Sequence, residues 1–415
     1  MLEIFTLTSF LILCYIYIGY PLLLALLVKI IKPTQHTFDK DYLPSISMIT
    51  ACFNEEDVIR EKINNCIAID YPEDKLNFIF VSDGSEDNTD AIICEYEQQG
   101  IQFLRQEGRL GKTSALNLAT KETDRDILVF SDANAMYTTE AIRKLARHFS
   151  NPKVGYVVGA ALYKEQNEAA SKSESNYWDY EIALKKMESD LSSVVGGDGA
   201  IYAARRELYH DLDKDDINDF VNPLQIVAQG FKGVFDAEAI CYEEAAGSFD
   251  KEARRKQRIV NRSFNGLMKV KQVMNPFRTG LFSLQVISHK LLRWLAPLFI
   301  ITFAVGSILL ALLDNSAYKV ISNLGIFFLW LAMLGHIYRN NSYLPKVLYI
   351  PYYFIMVNYY SLMGVLNALK GNIQITWSSP REKEQGNKEK KGGEKFIPIF
   401  FYVSTGILLY FINLQ

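Results

Sequence analysis

The chain has 415 residues, 49% hydrophobic and 22% charged, with a formal net charge of −3. That length suits two or three domains, and so even a charge balance excludes a general nucleic-acid role, which needs a basic face. Five cysteines (Cys14, Cys52, Cys66, Cys94 and Cys241) without CxxC spacing argue against a disulfide framework or zinc site, and for free thiols in a reducing compartment.

Charges concentrate in residues 36–275 and 381–395, and apolar runs lie at both ends. This is the layout of a membrane protein with a water-soluble middle. Residues 4–31 are nearly uncharged. The run exceeds a signal-peptide core and no small-residue cleavage pattern follows, so residues 1–34 are expected to hold an uncleaved transmembrane helix. Lys29, Lys32 and Lys40 at or beyond its end predict a middle that faces the cytoplasm.

The middle, residues 40–247, alternates strand and helix patterns. Ser45–Cys52 reads as a strand, and Asn54-Glu55-Glu56 opens a helix to about Ile69, acidic at the favourable end of its dipole. A strand at Asn77–Ser82 ends in Asp83-Gly84-Ser85, and a helix follows from Asp87 to Gln99. Next come a strand at Ile101–Leu104, a helix at Lys112–Lys121, and strands at residues 127–131 and Val154–Ala160. The alternation predicts an α/β, Rossmann-like fold with a mostly parallel sheet and ligands at the strands' carboxyl ends. Beyond residue 160, helices are expected at Ser171–Asp190 and Asp219–Gln229, a Gly-rich stretch at Val194–Ala204, and a short strand at Val234-Phe235.

Asp250–Val273 reads as a basic amphipathic helix, so residues 248–290 are expected to lie at the membrane interface. The C-terminal region, 291–415, carries apolar runs at Leu291–Leu313, Val320–Tyr338, Val347–Leu369 and Phe396–Ile412. The third, with five tyrosines, two Asn and a Pro, spans or is re-entrant or interfacial. A basic loop at 370–395 is expected on the cytoplasmic side.

The polar clusters sit at strand ends. Asp132-Ala133-Asn134 places two oxygen donors two residues apart, which suits a turn or a hard divalent cation held against phosphate. Asn54-Glu55 is a helix start or a polar group facing a nucleotide base. Arg109-Leu110-Gly111-Lys112 sets a cation before a helix N-terminus, where phosphate is favoured. Neither a full GxxxxGK[ST] nor a GxGxxG pattern is present. Asp219 is a helix cap or a base, and the basic cluster at 251–262 is a lipid anchor or a diphosphate contact.

In order, "ACFNEE", "VSDGSEDNT", "EGRLGKTSALNLA", "FSDANA", "GGDGAIYAARREL", "INDF" and "RRKQRI" resemble the inverting glycosyltransferases of family 2. The similarity is greatest to the membrane-embedded branch that includes cellulose, chitin, hyaluronan and poly-N-acetylglucosamine synthases. It runs from about Ser45 to Arg262 and implies a GT-A fold. It implies that Asn54, Glu55 and Asp83 contact base and ribose of a nucleotide sugar, and that Gly111 and Lys112 lie near its phosphates. Asp132 matches the metal-binding Asp of the DxD motif, with Asn134 in place of the second. Asp198 and Gly199 fit the acceptor-side loop. Asp219 fits the base that ends the TED motif, with Asn218 replacing Glu. Arg258 is retained from QxxRW, while Arg255 replaces its Gln on the donor side and Ile259 its Trp. Trp377 and Arg381 resemble a segment near the channel gate.

The implied reaction is metal-assisted transfer from a nucleotide sugar, with UDP-N-acetylglucosamine (UDP-GlcNAc) and UDP-glucose as leading donors and Mg²⁺ or Mn²⁺ as cofactor. The product is a growing glycan, accessory subunits are conceivable, and no nucleic acid is involved. The rival acceptor is lipid-linked and takes one sugar. The rival class is an inactive transferase-like scaffold, which Asn134 and Asn218 would favour.

Overall fold

The computed structural model describes residues 1–31, 38–163, 169–243, 249–339 and 344–374. Trp377, Arg381, most of the 370–395 loop and the run Phe396–Ile412 lie outside the described residues.

One eight-stranded sheet organises the middle: β1 (Ile46–Cys52), β2 (Leu76–Ser82), β3 (Ile101–Arg105), β4 (Ile127–Asp132), β5 (Met136–Tyr137), β6 (Val154–Tyr163), β7 (Tyr202–Arg205) and β8 (Lys232–Glu243). The order is β3-β2-β1-β4-β7-β6-β8-β5. The first four are parallel, as the alternation predicts. The other half is mixed: β7 runs against β4 and β6, and β5 against β8. β8 has 12 residues, where the sequence suggests a short strand. Its Asp236 and Glu238 hide the pattern, yet Asp236 is buried between His148 and Arg147, each at 2.7 Å.

Both sheet faces are covered, which is why β1 is buried throughout. Side chains alternate between two cores. Ile46, Met48, Ile127 and Val129 pack with Ile63 and Ile142 of the helices Ile59–Ile67 and Ala141–Ala146. Ile49, Leu128 and Phe130 pack with Leu116 and Leu224 of the helices Lys112–Lys121 and Asn218–Ala228. This second core runs on into Phe264, Phe282 and Trp294 of the C-terminal helices.

Among the described residues, three helices are long and apolar enough to cross a membrane: Leu2–Ile31, Leu281–Leu312 and Ser316–Ile337. The first meets the second through Ser9 Oγ and Thr302 Oγ1 at 2.8 Å and Tyr15 OH and Ser288 Oγ at 2.7 Å. It meets the sheet domain where Tyr20 OH donates to Glu188 Oε1 at 2.6 Å. Lys346–Leu369 is one helix rather than a re-entrant hairpin. It packs along the basic helix Phe249–Lys269, where Gly364 lets the backbones approach: a Cβ there would stand 2.8 Å from Gln257 O.

Several basic residues of Phe249–Lys269 turn inward instead of toward a lipid surface, because protein acceptors are waiting for them. Buried Arg262 donates to Thr113 Oγ1 at 3.0 Å and to Asp215 O at 3.2 Å. Lys269 Nζ reaches Asp213, Asp215 and Asp216 at 2.9, 2.9 and 2.8 Å.

Candidate active site

β1 has β2 on one side and β4 on the other, so the chain's winding reverses beside it. Open α/β sheets hold ligands in the crevice outside such a reversal. Asn54, Glu55, Asp83 and Asp132 all stand at these strand ends.

The first two rim loops are laced together. Asn54 has φ of 51°, the left-handed region that Asn tolerates. Its Oδ1 accepts from the Glu86 N–H at 2.9 Å, and the Glu55 N–H donates to Thr89 Oγ1 at 2.8 Å. The helix expected from Asn54 therefore starts at Ile59, since these donors are satisfied across the rim. Asp83 is fully buried and accepts from the N–H groups of Leu110 and Gly111, both at 2.9 Å. Burial pushes its carboxyl pKa up, against those donors. Its carboxylate thus shapes the loop before Lys112. Gly111, at φ of 99°, makes the turn into the helix, a conformation that strains any other residue.

That turn aims Lys112 at Asp132, and the two form an ion pair. Burial alone would lower the Lys112 ammonium pKa; the Asp132 and Asp219 carboxylates outweigh it and raise it. Gly199 closes the group. A Cβ on it would stand 3.3 Å from Asp219 Oδ2, 3.4 Å from Lys112 Nζ and 3.5 Å from Asp132 Oδ2. The structure therefore brings together Lys112, Asp132, Asp219 and Gly199 from four segments. Asp219 lies in the first turn of its helix, and the Gly197 N–H donates to its carbonyl. Burial raises its carboxyl pKa, opposed by Lys112.

Asn218, at the position of the motif's Glu, accepts from the Tyr202 hydroxyl. The Tyr202 ring stacks on Phe130 at 4.9 Å, two residues before Asp132. Asp198 pairs with Lys185 at 3.0 Å. Arg258 faces the same group: burial and Arg255 lower its pKa, while Asp132 and Asp219 oppose them. Arg255 is held by Glu252 at 2.8 and 3.1 Å. Asn134 follows Asp132 in the turn and is half-buried.

Three neighbours escape sequence reasoning. Glu243 ends β8 opposite Tyr163, and its carboxyl pKa is raised to about 8 by burial, then by Asp132 and Asp198. Lys185 and Lys62 reach the site only through tertiary packing.

The residues fit a hard divalent cation. Asp132 and Asn134 offer oxygen donors, the missing Gly199 side chain leaves room, and Asp132 and Asp198 raise the pKa of both Asp219 and Glu243. Such mutual repulsion is relieved by a bound cation. A second acidic trio, Asp213, Asp215 and Asp216, has oxygens within 4.8 Å of one another. The Lys269 ammonium already fills it.

Residues 47–212 match the model of glycosyl transferase family 2. The poly-beta-1,6-N-acetyl-D-glucosamine synthase of Staphylococcus aureus (strain MSSA476) is 24% identical over 247 residues, 56% of this chain and 59% of that protein. Its counterpart from Staphylococcus epidermidis is 27% identical over 152 residues, 36% of each. The chain thus spans less than two thirds of the length of either. The mannosyltransferase PcManGT from Pyrobaculum calidifontis, solved with GDP-Man and Mn²⁺, superposes with a TM-score of 0.67 at 21% identity. That match covers 89% of this chain and 99% of the other, so the two share the GT-A fold.

Proposed function

We propose that this chain, whose residues 47–212 form a glycosyl transferase family 2 domain, is a membrane-integrated inverting glycosyltransferase. It takes a sugar from a UDP-sugar, UDP-GlcNAc ahead of UDP-glucose, and adds it to a hydroxyl of a growing glycan. The preference for N-acetylglucosamine rests on the synthases it resembles. The observation that carries the reading is the convergence of Asp132, Lys112 and Asp219 on Gly199.

In this reading the Asp219 carboxylate takes the proton of the acceptor hydroxyl, and its raised pKa suits it to do so. The hydroxyl oxygen attacks the anomeric carbon while the bond to the diphosphate breaks, and the electron pair leaves with the diphosphate. In-line attack on an α-linked donor yields a β-linkage. Lys112 and Arg258 stabilise the departing charge. Mg²⁺ or Mn²⁺ at Asp132 and Asn134 would add Lewis-acid neutralisation of that charge. Asn54, Glu55 and Asp83 form the base side, with Asp83 acting through the Leu110–Gly111 backbone it holds. Asp198, fixed by Lys185, borders the acceptor side, and Arg255, held by Glu252, adds positive charge on the donor side. The three apolar helices anchor the chain, with the catalytic domain on the cytoplasmic face.

The test is a donor panel of UDP-GlcNAc, UDP-glucose and GDP-mannose on full-length protein in lipid nanodiscs with Mg²⁺ or Mn²⁺. Nucleoside diphosphate release and product mass are read together. UDP release with a lengthening β-linked product is expected. A single added sugar would transfer the proposal to a lipid-linked acceptor, and no release from any donor would refute an enzymatic role.

A further inference from the structure

The helix Ile59–Ile67 packs behind the turn that carries Asp132 and Asn134, and one of its residues is out of place there. Lys62 is fully buried, flanked on its own helix by buried Ile59, Ile63 and Cys66. Enclosing an ammonium is costly unless its protons find acceptors. Lys62 Nζ finds two: Ser131 Oγ at 2.7 Å and the carbonyl of Ala135. These acceptors are the residues immediately before and after Asp132-Ala133-Asn134.

The same helix face makes a second attachment. Asn65, three residues on, brackets the Tyr137 backbone: its Nδ2 donates to Tyr137 O, and its Oδ1 accepts from Tyr137 N, both at 2.8 Å. Lys62 Nζ also sits 4.6 Å from the centre of the Tyr137 ring. The Tyr137 hydroxyl donates to Ala200 O at 2.9 Å, beside Gly199. One helix face thus grips the turn at both ends and reaches the acceptor-side loop through one ring.

We propose that Lys62 is a positioning residue for the donor site: from behind the sheet rim its buried amine ties together the two ends of the Asp132-Ala133-Asn134 turn and so sets how that turn presents its oxygens to a divalent cation. Lys62 touches neither donor nor acceptor. It acts by fixing the turn from behind Asp132. An apolar side chain of similar length would fill the space without tying the turn. The inference rests on the metal-assisted reading above.

The experiment compares full-length parent, Lys62→Met and Ser131→Ala in nanodiscs. Mn²⁺ is titrated with UDP present and free Mn²⁺ is followed by electron paramagnetic resonance, together with KM for Mn²⁺ and the melting temperature. Loss of a group that orients a metal ligand typically weakens the metal by about 10- to 100-fold. That is expected for Lys62→Met, with a rise in KM for Mn²⁺. Ser131→Ala removes one of the two tethers and should weaken Mn²⁺ about two- to tenfold. Parental Mn²⁺ affinity in both variants would overturn the inference and leave the glycosyltransferase reading intact. If Lys62→Met does not fold, Ser131→Ala decides alone, and an unchanged affinity there overturns it. A parent that binds no Mn²⁺ removes the metal-assisted reading, and this inference falls with it.

Discussion

Gly199→Ala adds one methyl at the point where three functional groups meet. Its Cβ would stand 3.3 Å from Asp219 Oδ2, 3.4 Å from Lys112 Nζ and 3.5 Å from Asp132 Oδ2. Those atoms are the ends of side chains that yield by a few tenths of an ångström. Gly199 is also not among the positive-φ glycines, so alanine can take its backbone conformation. The fold should therefore change by no more than about 0.5 kcal/mol. Catalysis has no such tolerance, because the methyl takes space that donor and acceptor must share. A displacement near 1 Å between reacting groups costs about 10²-fold, or roughly 2.7 kcal/mol of barrier. The assay pairs nucleoside diphosphate release with melting temperature in the same nanodisc sample. The expected result is a parental melting temperature with about 1% of the rate. Gly233→Ala is the contrast: its Cβ would overlap the Tyr156 ring, so there the fold fails first. Should Gly199→Ala retain at least half the parental rate with an unchanged melting temperature, Asp132, Lys112 and Asp219 do not surround the reacting atoms.

Four further outcomes follow from the structure. Asp219 works deprotonated and burial raises its pKa, so kcat/KM should fall as pH drops through a midpoint above the usual carboxylate value near 4. Asp219→Asn should lose about 10²- to 10⁴-fold; a parental profile with no acid limb, or with its midpoint at or below the usual carboxylate value, would contradict the assignment. Tyr20→Phe strips a donor from buried Glu188 and should cost about 1–3 kcal/mol, visible as a lower melting temperature with little change in KM. Asn134→Asp should tighten Mn²⁺ by converting a neutral oxygen to a carboxylate. Asp213→Asn, in the trio filled by Lys269, should leave both Mn²⁺ affinity and stoichiometry unchanged.

The parallel half of the sheet is legible because its strands are short apolar runs whose ends break into Asn54, Asp83 and Asp132. Local pattern suffices there. It fails at β8, where Asp236 looks like a surface residue and is instead paired inside with Arg147 and His148. It fails again at β7 and β5, which run against their neighbours because long-range pairing sets their direction. Motif order points to Lys112, Asp132 and Asp219, and the structure brings them together. Lys62 carries no signal, because a lysine at that spacing reads as the solvent side of an amphipathic helix. Glu243 carries none either, since its place depends on where a long irregular strand ends. The inward turn of Arg262 and Lys269 likewise depends on an acidic loop roughly fifty residues away in sequence.

Three side chains of the first helix find partners very late in the polypeptide. Tyr20 meets a partner 168 residues on, Tyr15 one 273 residues on, and Ser9 one 293 residues on. At ~5–20 residues per second of synthesis, Ser9 waits about 15–60 s for Thr302. In a membrane-integrated chain, Ser9 would spend that interval bonded to the Phe5 carbonyl of its own helix, while the Tyr15 and Tyr20 hydroxyls await their partners. Those partners exist only after most of the sheet domain has been made. Assembly would then run outward from the sheet domain: Glu188 captures Tyr20 first, and Ser288 and Thr302 follow as their helix arrives. A lesion that slows folding of the sheet would thus surface as a helix stranded in lipid, free to pair with another copy of itself.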